Sequence, residues 1–421
     1  MEENKTNLLL IDHYRVLDLT DEKGLLCAKI LGDLGADVIK IEKPGGDISR
    51  RLGPFFHNNI HPEKSLLWFA YNSNKRGITL DFASADGGAL LKRLVKSADF
   101  LIESFPPGYM SRLGLGYESL KNINPRLIMV SITPFGQEGP HKDWKSSDIV
   151  SMATGGFMAL VGDDDRPPVR ISADQSFLHA CAEGAVASLI ALHDRHRSGE
   201  GQHIDVSIEA SMVATTISAI PYWDMSNVIL KRSGPYRVGQ RGEGKKVPQQ
   251  WPCKDGSVSY AIWGGQAGAK TNKALVDWIE SDGMATDTLL NMDWSCFDLK
   301  NVDDDLLNKL EEDIGKFFLS HTKKELYQGA IERRIQLYPI YSIKDIREDS
   351  QLEARNFWES VKHDELDAEI TYPGSFARNS EVNMKICRRA PLIGEHNVEI
   401  YMEELGLSSD EMRTLRQAGI I

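Results

Sequence analysis

Two side chains near the start of one predicted helix decide what chemistry this sequence could perform. Residues 166–208 open with a Pro-Pro turn, continue as an alanine-rich helix that ends at Ser198-Gly199, and finish in an alternating strand. Asp174 and Phe177 both lie near the point where this helix begins. A carboxylate there could attack a carbonyl carbon, or it could cap the helix by accepting hydrogen bonds from its first N–H groups. A phenyl ring can do neither.

Other residue patterns that perform chemistry do not occur in the sequence. The eleven histidines are not spaced with cysteines or carboxylates as metal ligands are, so we expect no metal site. The run Asp163–Asp165 precedes Arg166-Pro167 and resembles a turn rather than a cation site. The segment "GLGYES" lacks the last glycine of a dinucleotide-binding motif.

Length, charge and cysteine content narrow the class of protein. The 421 residues exceed one ordinary core, which predicts two domains. The formal net charge of −12, without a long basic run, argues against nucleic acid or an anionic membrane as a partner. The five cysteines form no CxxC pair, as is typical of reduced thiols, and the apolar run near the N-terminus is too short for a signal sequence or a membrane span. We therefore expect a cytoplasmic protein.

The first third of the chain alternates predicted strands and helices. Apolar runs predict strands at "YRVLDLT", "DVIKIEKPGGD", "GITLDFAS", "DFLIESFPPG" and "RLIMVSITPFG", and amphipathic helices at "GLLCAKILGDLGA" and "ADGGALLKRLVKSA". This order predicts an α/β fold with a parallel sheet and helices on both faces. Ligands of such sheets bind outside the carboxyl ends of the strands. The informative residues are therefore those that directly follow strands, namely Lys43, Asp81, Ser104-Phe105 and Thr133–Gly136.

A change of composition marks the predicted domain boundary. From about Tyr222 the chain becomes rich in Gly, Lys and Arg, in "KRSGPYRVGQRGEGKKVPQQ". We predict that residues 1–210 form the first part of a large domain, residues 225–325 a small domain, and residues 335–421 a C-terminal part that returns to the large domain.

Six segments, in order along the chain, together resemble the family III CoA-transferases, the CaiB/BaiF superfamily. They are "LGADVIKIEKPGGD", "YNSNKRGITLDF", "ESFPPGYMSRLGLGYESLKNINPRLI", "SITPFGQEGP", "RSGEGQHIDVSI" and "RRAPLIGEH". The resemblance runs from about Arg15 to the C-terminus. It implies a Rossmann-like large domain built from both chain ends, a smaller domain, and two ring-like subunits interlocked as a dimer.

The resemblance also implies a coenzyme A site without a metal or prosthetic group, at which CoA thioesters and a carboxylic acid are substrates. The positions that match the family's CoA-contacting residues are Lys43, Leu80, Asp81, Phe82, Ala83, Ser104, Phe105, Pro106, Arg112 and Lys145. Gly239, Gly242 and Gly244 match a glycine-rich loop that covers the thioester. The segment "LTDEKGLLCAKI" departs from the family, because Glu22–Gly24 lack the Gly-Pro pair that usually opens the first helix.

Members of this family use one aspartate as nucleophile, whose carboxylate attacks the acyl-CoA to form a mixed anhydride. The aspartate begins the helix that ends in "R-x-x-[ST]-G-x-G-Q". Counting back from Arg195 and forward from Pro167-Pro168 reaches the same position, which holds Phe177. Asp174 lies about one helical turn earlier; we interpret it as a helix cap or first-turn acid. The resemblance thus implies a non-catalytic subunit whose homologous sister chain carries the aspartate.

The implied function is that of one subunit of a CoA-transferase. The segments "GLLCAKILGDLGADVIKIE" and "PPVRIS" resemble members that move CoA from succinyl-CoA to a dicarboxylic acid such as (R)-benzylsuccinate, in anaerobic toluene degradation. Two alternatives stay open: a competent enzyme with Asp174 as a shifted nucleophile, and a CoA-binding or scaffold protein without transfer. The family's racemases need a His-Asp pair, but Ser147 stands where the histidine would precede Asp148, which disfavours racemisation.

Overall fold

The computed structural model describes residues 9–237 and 245–421, and the chain divides into two compact units. Unit 1 comprises Met1–Phe157, Ile171–Thr216 and Glu353–Ile421, and unit 2 comprises Met158–Arg170 and Ile217–Leu352. Unit 1 is therefore built from chain segments before, between and after the two segments of unit 2.

The structure contains thirteen strands and sixteen α-helices among the described residues, and they alternate through the first half of the chain. The strands are β1 Arg15–Asp18, β2 Asp37–Glu42, β3 Lys75–Thr79, β4 Phe100–Glu103, β5 Ile128–Thr133, β6 His203–Ser207, β7 Tyr236–Arg237, β8 Val247–Pro248, β9 Gln250–Cys253, β10 Gly256–Tyr260, β11 Leu337–Ile340, β12 Trp358–His363 and β13 Ala368–Pro373. The helices are α1 Leu25–Asp33, α2 Leu66–Asn72, α3 Ala85–Val95, α4 Tyr109–Arg112, α5 Tyr117–Lys121, α6 Asp148–Thr154, α7 Ser176–Ser198, α8 Ile208–Thr215, α9 Ile220–Ser226, α10 Gly265–Ser281, α11 Asp287–Leu290, α12 Asp304–Ser320, α13 Lys323–Arg333, α14 Ile343–Arg347, α15 Ser350–Ala354 and α16 Ser409–Gln417.

Unit 1 contains a parallel sheet of six strands in the order β3-β2-β1-β4-β5-β6. Leu17 of β1 lies opposite Ile39 of β2 on one side and Leu101 of β4 on the other. The inner strands are buried along nearly their whole length, because helices cover both faces of the sheet. The predicted α/β fold with a parallel sheet is confirmed. The strand order changes direction between β1 and β4, which makes the loops after these two strands the edges of a crevice.

Alternating strand residues form two separate hydrophobic cores. Leu17, Ile39 and Leu101 pack on the face that carries α3 and α16. Val16, Val38 and Phe100 point to the opposite face, which carries α1 and α7. Successive residues of a strand point to opposite sides, so these uninterrupted apolar runs produce both cores.

The late segment "RRAPLIGEH" closes the exposed edge of the sheet at β3. The backbone N–H of His396 donates to Gly77 O at 2.9 Å, and the N–H of Gly77 donates to His396 Nδ1 at 3.0 Å. The N–H of Thr79 donates to the Asn397 side-chain oxygen at 2.9 Å. An edge strand presents unpaired backbone groups, so this segment satisfies them and joins the end of the chain to the large unit.

Unit 2 is built around a small antiparallel sheet, β11-β10-β9. The turn at Lys254-Asp255-Gly256 joins β9 to β10 in an antiparallel hairpin, with Gly256 opposite Cys253. Trp251, Trp278 and Phe317 belong to a hydrophobic core in which residues of this sheet and of α10–α13 pack together.

Among the described residues, one helix, α7, is long and apolar enough to cross a membrane by length and composition alone. Half of its apolar stretch is buried inside the protein. Gly184 packs this helix closely on α1, because a Cβ at that position would lie 3.2 Å from Cys27 Sγ. A helix packed in the core of unit 1 has the same composition as a membrane span, so this property assigns no membrane role.

Candidate functional site

The start of α7 is held by an aspartate from another helix. The helix begins at Ser176, after an N-cap residue, Gln175, whose own side chain makes no capping bond. Asp148 Oδ1 accepts hydrogen bonds from Gln175 N at 2.8 Å, Ser176 N at 2.9 Å and Ser176 Oγ at 2.8 Å. Asp174 precedes the N-cap and is exposed. The interpretation of Asp174 as the helix cap or first-turn acid is therefore wrong, because Asp148 already binds the first N–H groups.

Phe177, the residue at the predicted nucleophile position, is part of the hydrophobic core. Its side chain is 7% exposed and packs in the cluster that also contains Ala180, Cys181 and Ile132. Cys181 Sγ, one turn later, donates to Lys23 O at 3.2 Å and so ties α7 to the loop before α1. The ring has no group that could attack a thioester carbonyl. It contributes packing only.

Asp174 lies close enough to Tyr71 to influence its titration. Burial and then the negative charge of Asp174 raise the pKa of the Tyr71 hydroxyl above its ordinary value. Asp174 is thus an exposed carboxylate before the start of α7 whose charge acts on the half-buried phenol of Tyr71 in α2. This arrangement keeps open the alternative in which Asp174 takes part in chemistry.

The crevice between β1 and β4 is closed by a hydrogen-bonded pair. Ser104 Oγ donates to Asp21 Oδ1 at 2.8 Å and accepts from Asp21 N at 2.9 Å. Glu22, in the segment that departs from the family, has an Oε2 atom without a hydrogen-bond partner among the described residues, and burial raises the pKa of its carboxyl group. The predicted site residue Ser104 therefore lies at the crevice, where it holds the loop that follows β1.

Fully buried charged side chains hold the backbone next to the same loop, residues 21–24. Lys75 Nζ donates to Asp18 Oδ2 at 2.8 Å and to Leu25 O at 2.9 Å, while Asp18 Oδ1 accepts from Thr20 N at 3.0 Å. Lys40 Nζ donates to Thr20 O. Burial alone would raise the pKa of Asp18, but the two ammonium groups hold it below its ordinary value. The cluster fixes the backbone on both sides of residues 21–24.

An aromatic wall lies on the face of the sheet that carries α3. The ring of Phe105 lies 5.5 Å from that of Phe82 and 4.9 Å from that of Tyr109. Phe82 and Leu80 are buried, and Phe105 is half-buried. Asp81 is half-buried, while Ala83 and Pro106 are exposed. The structure thus brings Phe82 and Phe105 into contact, and a flat ring could pack on the half-buried Phe105.

The three predicted basic residues are exposed and follow the carboxyl ends of three different strands. Lys43 follows β2, in a turn closed by a 2.9 Å hydrogen bond from Gly46 N to Lys43 O. Arg112 ends α4 after β4, with its guanidinium close to Gly108. Lys145 precedes α6 after β5. Exposed cations in the segments that follow these strands could bind phosphate groups.

Sequence reasoning missed two groups at this edge. Asp148 was considered only for racemisation, although its carboxylate caps α7. Glu103, the last residue of β4, is 4% exposed, and its Oε2 accepts from Phe105 N at 2.7 Å. Burial raises the pKa of Glu103 to about 7, against hydrogen bonds from Ser131 and Phe105 N that lower it. An acidic residue at the end of an apolar strand was the available signal.

The remaining predicted positions and cavities add little to this site. Gly239, Gly242 and Gly244 lie outside the described residues. Within residues 9–237 and 245–421 no group of three His, Cys, Asp or Glu side chains could hold a metal ion. A cavity of about 680 Å³ is lined by residues of 355–359 and 375–385, and none of the predicted site residues lines it.

The model of the family described as "CoA-transferase family III" matches residues 11–397. The chain belongs to the family III CoA-transferases. A succinyl-CoA:(R)-benzylsuccinate CoA-transferase subunit of Thauera aromatica is 35% identical, over 97% of both chains. A succinyl-CoA–D-citramalate CoA-transferase of Chloroflexus aurantiacus is 32% identical over 98% of both chains. The crystal structure of a CaiB/BaiF family protein from Brucella suis is 28% identical and superposes with a TM-score of 0.78, covering 93% of this chain and 98% of that one.

Membership in this family confirms the resemblance that the six segments indicated. It also relates the carboxyl edge of the sheet to the chemistry of CoA thioesters. Family III CoA-transferases act on CoA thioesters without a prosthetic group. The roles of the individual residues at this edge, Phe177 and Asp174 among them, remain predictions.

Proposed function

We propose that this chain is the non-catalytic subunit of a cytoplasmic CoA-transferase that moves CoA from succinyl-CoA to a dicarboxylic acid such as (R)-benzylsuccinate. Its partner would be a homologous chain with an aspartate at the start of the helix corresponding to α7. The observation that carries the proposal is Phe177, which is 7% exposed in the core where a nucleophile would be needed. The name of the Thauera aromatica relative, a subunit of a benzylsuccinate transferase, supports the substrate.

The chemistry explains why a second chain is required. A carboxylate oxygen of the nucleophile attacks the thioester carbonyl and CoA leaves as the thiolate; the thiolate then attacks the resulting anhydride, which releases succinate and leaves CoA bound to the enzyme as a thioester. Asp148 is committed to three hydrogen bonds at the start of α7. This chain would then contribute the fold, the assembly and a CoA-contacting edge.

The alternative with Asp174 as nucleophile is favoured by one observation, the carboxylate's exposure at the start of α7 near Tyr71. The third alternative, a CoA-binding or scaffold protein without a share in transfer, predicts that the chain has no homologous partner.

The proposal is tested by assaying transfer from succinyl-CoA to (R)-benzylsuccinate with the chain alone, with the sister chain alone, and with the co-expressed pair. We expect the two chains to co-purify and only preparations that contain the sister chain to transfer CoA. Robust turnover by this chain alone would contradict the proposal and favour Asp174. A chain that transfers no CoA and forms no heteromer with a homologous chain would favour the third alternative, a CoA-binding or scaffold protein.

A further inference from the structure

The loop after β5 holds an exposed aromatic cluster that the proposed function leaves without a role. The rings of His141 and Trp144 are stacked, with centroids 3.8 Å apart and planes at 20°. The ring of Phe135 meets both edge-on, at 5.8 Å and 6.0 Å. Trp144 N donates to His141 O at 2.9 Å, which closes the turn that carries the pair. Phe135 is 9% exposed, whereas Trp144 is 56% exposed.

This geometry fixes an indole ring while leaving more than half of the side chain open to solvent. Aromatic rings attract one another in offset-stacked and edge-on arrangements more strongly than the buried area alone accounts for. A ring that is already held in place loses little conformational freedom when a ligand packs on it. Trp144 can therefore accept another flat ring.

Two ammonium groups beside this cluster could bind a carboxylate. Lys142 and Lys145 are exposed on either side of Trp144 in the sequence, and the exposed carboxylates of Glu138 and Asp143 leave residues 134–147 without a net charge. Lysine ammonium groups attract carboxylates as well as phosphates.

The position of the cluster favours the acyl end of the substrates over the nucleotide. Trp144 lies four residues before Asp148, which binds the first N–H groups of α7. Four residues span at most about 14 Å, so the cluster stays close to the start of α7, the position at which the proposed sister chain would carry its aspartate. The adenine of CoA is separated from its thioester by the pyrophosphate and the pantetheine arm.

We infer that Trp144, stacked on His141, binds the aromatic ring of an aryl-substituted dicarboxylate and thereby selects it over an aliphatic dicarboxylate. This inference rests on the proposed function. It names the structural feature of the acceptor acid that the chain recognises.

The experiment measures binding of (R)-benzylsuccinate and of methylsuccinate to the full chain by calorimetry, with CoA titrated in a separate arm. Both acids carry two carboxylates, and only one carries a ring. Trp144→Leu should weaken benzylsuccinate binding roughly three- to tenfold and leave methylsuccinate binding unchanged. Trp144→Phe should retain most of the wild-type affinity for benzylsuccinate. Trp223→Leu, at a tryptophan that is 54% exposed in unit 2, is the matched control and should change neither.

Three results would overturn the inference. The wild type could bind both acids equally, it could bind neither acid, or Trp144→Leu could weaken the binding of both acids equally. CoA binding in the separate arm would show that the CoA-contacting edge of the proposed function still stands in those cases. If Trp144 instead contacts another protein chain, Trp144→Leu would change the mass of the assembly in light scattering without changing the preference between the acids, which also overturns the inference.

Discussion

Phe177 has a structural use that explains its presence without any catalytic role. The side chain is 7% exposed and packs beside Ala180 and Cys181 under the parallel sheet. Burying a phenyl side chain contributes about 2–3 kcal/mol to stability. A nucleophilic aspartate would need the opposite surroundings: a polar position open to the thioester.

Arg112 is the residue whose replacement tests the CoA-contacting edge. If its exposed guanidinium binds a CoA phosphate, Arg112→Ala should weaken CoA binding by about 1.5–3 kcal/mol, the usual contribution of a hydrogen bond to a charged group. That equals a roughly ten- to hundredfold loss in affinity, measured by calorimetric titration. The loss should shrink for a pantetheine fragment, which lacks the nucleotide phosphates.

The matched control for Arg112 is Arg197→Ala. Arg197 is also exposed, at 87% of its side chain, but it lies at the far end of α7 in an ion pair with Asp194. The Arg197→Ala substitution should leave the affinity for CoA unchanged. Equal affinities of wild type and Arg112→Ala would mean that this arginine is an ordinary surface residue.

At the level of elements, the start of α7 depends on a carboxylate from α6. Asp148→Ala removes the acceptor of three hydrogen bonds and should lower the free energy of unfolding by about 1–2 kcal/mol, the range for the loss of a helix cap. Asp148→Asn keeps one acceptor oxygen and should cost less. Denaturant unfolding of the purified chain measures both.

Asp174→Ala serves as the control for the cap, because Asp174 lies on the surface before the N-cap residue. Its effect on unfolding should stay within about 0.5 kcal/mol. A larger loss for Asp174→Ala than for Asp148→Ala would contradict the assignment of the cap.

The end of β4 should make stability depend on pH. Burial raises the pKa of Glu103 to about 7, above its ordinary value of 4.5. The folded state holds this proton more tightly than the unfolded chain, so the stabilisation is fully present below pH 4.5 and is lost as the pH rises to about 7. The loss is on the order of 3 kcal/mol.

Glu103→Gln isolates this effect, because the amide oxygen can still accept from Phe105 N while the group no longer titrates. The difference in unfolding free energy between wild type and variant should change between pH 4.5 and 7, with the wild type losing stability. Parallel pH profiles of the two proteins would show that Glu103 is ionised throughout this range.

The sequence was sufficient to predict the strands and the carboxyl edge of their sheet. It was insufficient to predict contacts between segments that are distant along the chain. Apolar runs that end in a turn located β1 to β5, because each strand is buried on both faces and leaves little choice of register. The cap of α7 joins residues 28 positions apart, Asp148 and Ser176, so local helix signals pointed to Asp174 instead. No periodicity reveals such a pairing.

The same limit applies to the site. Lys43, Ser104 and Phe105 were predicted at the carboxyl edge because they directly follow strands, and the structure has them there. The buried partners of that edge, Lys75 with Asp18, depend on β3 and β1 both lying next to β2 in the sheet, which only the strand order determines.

At the level of the whole molecule, the chain combines a complete family III fold with a start of α7 that lacks an aspartate at the predicted position. Unit 1 draws on both flanks of unit 2, as the family resemblance implied. The absence of an aspartate at that position agrees with the proposed non-catalytic subunit, and the predicted interlocked dimer would join it to a homologous partner.

The location of the acyl intermediate tests the central claim most directly. The co-expressed pair is incubated with succinyl-CoA and quenched with hydroxylamine, which converts an activated aspartate to a hydroxamate, and the peptides of both chains are then analysed by mass spectrometry. We predict a hydroxamate on an aspartate of the sister chain and an unmodified peptide around Asp174. A hydroxamate on Asp174 would contradict the account, because this chain would then carry its own nucleophile.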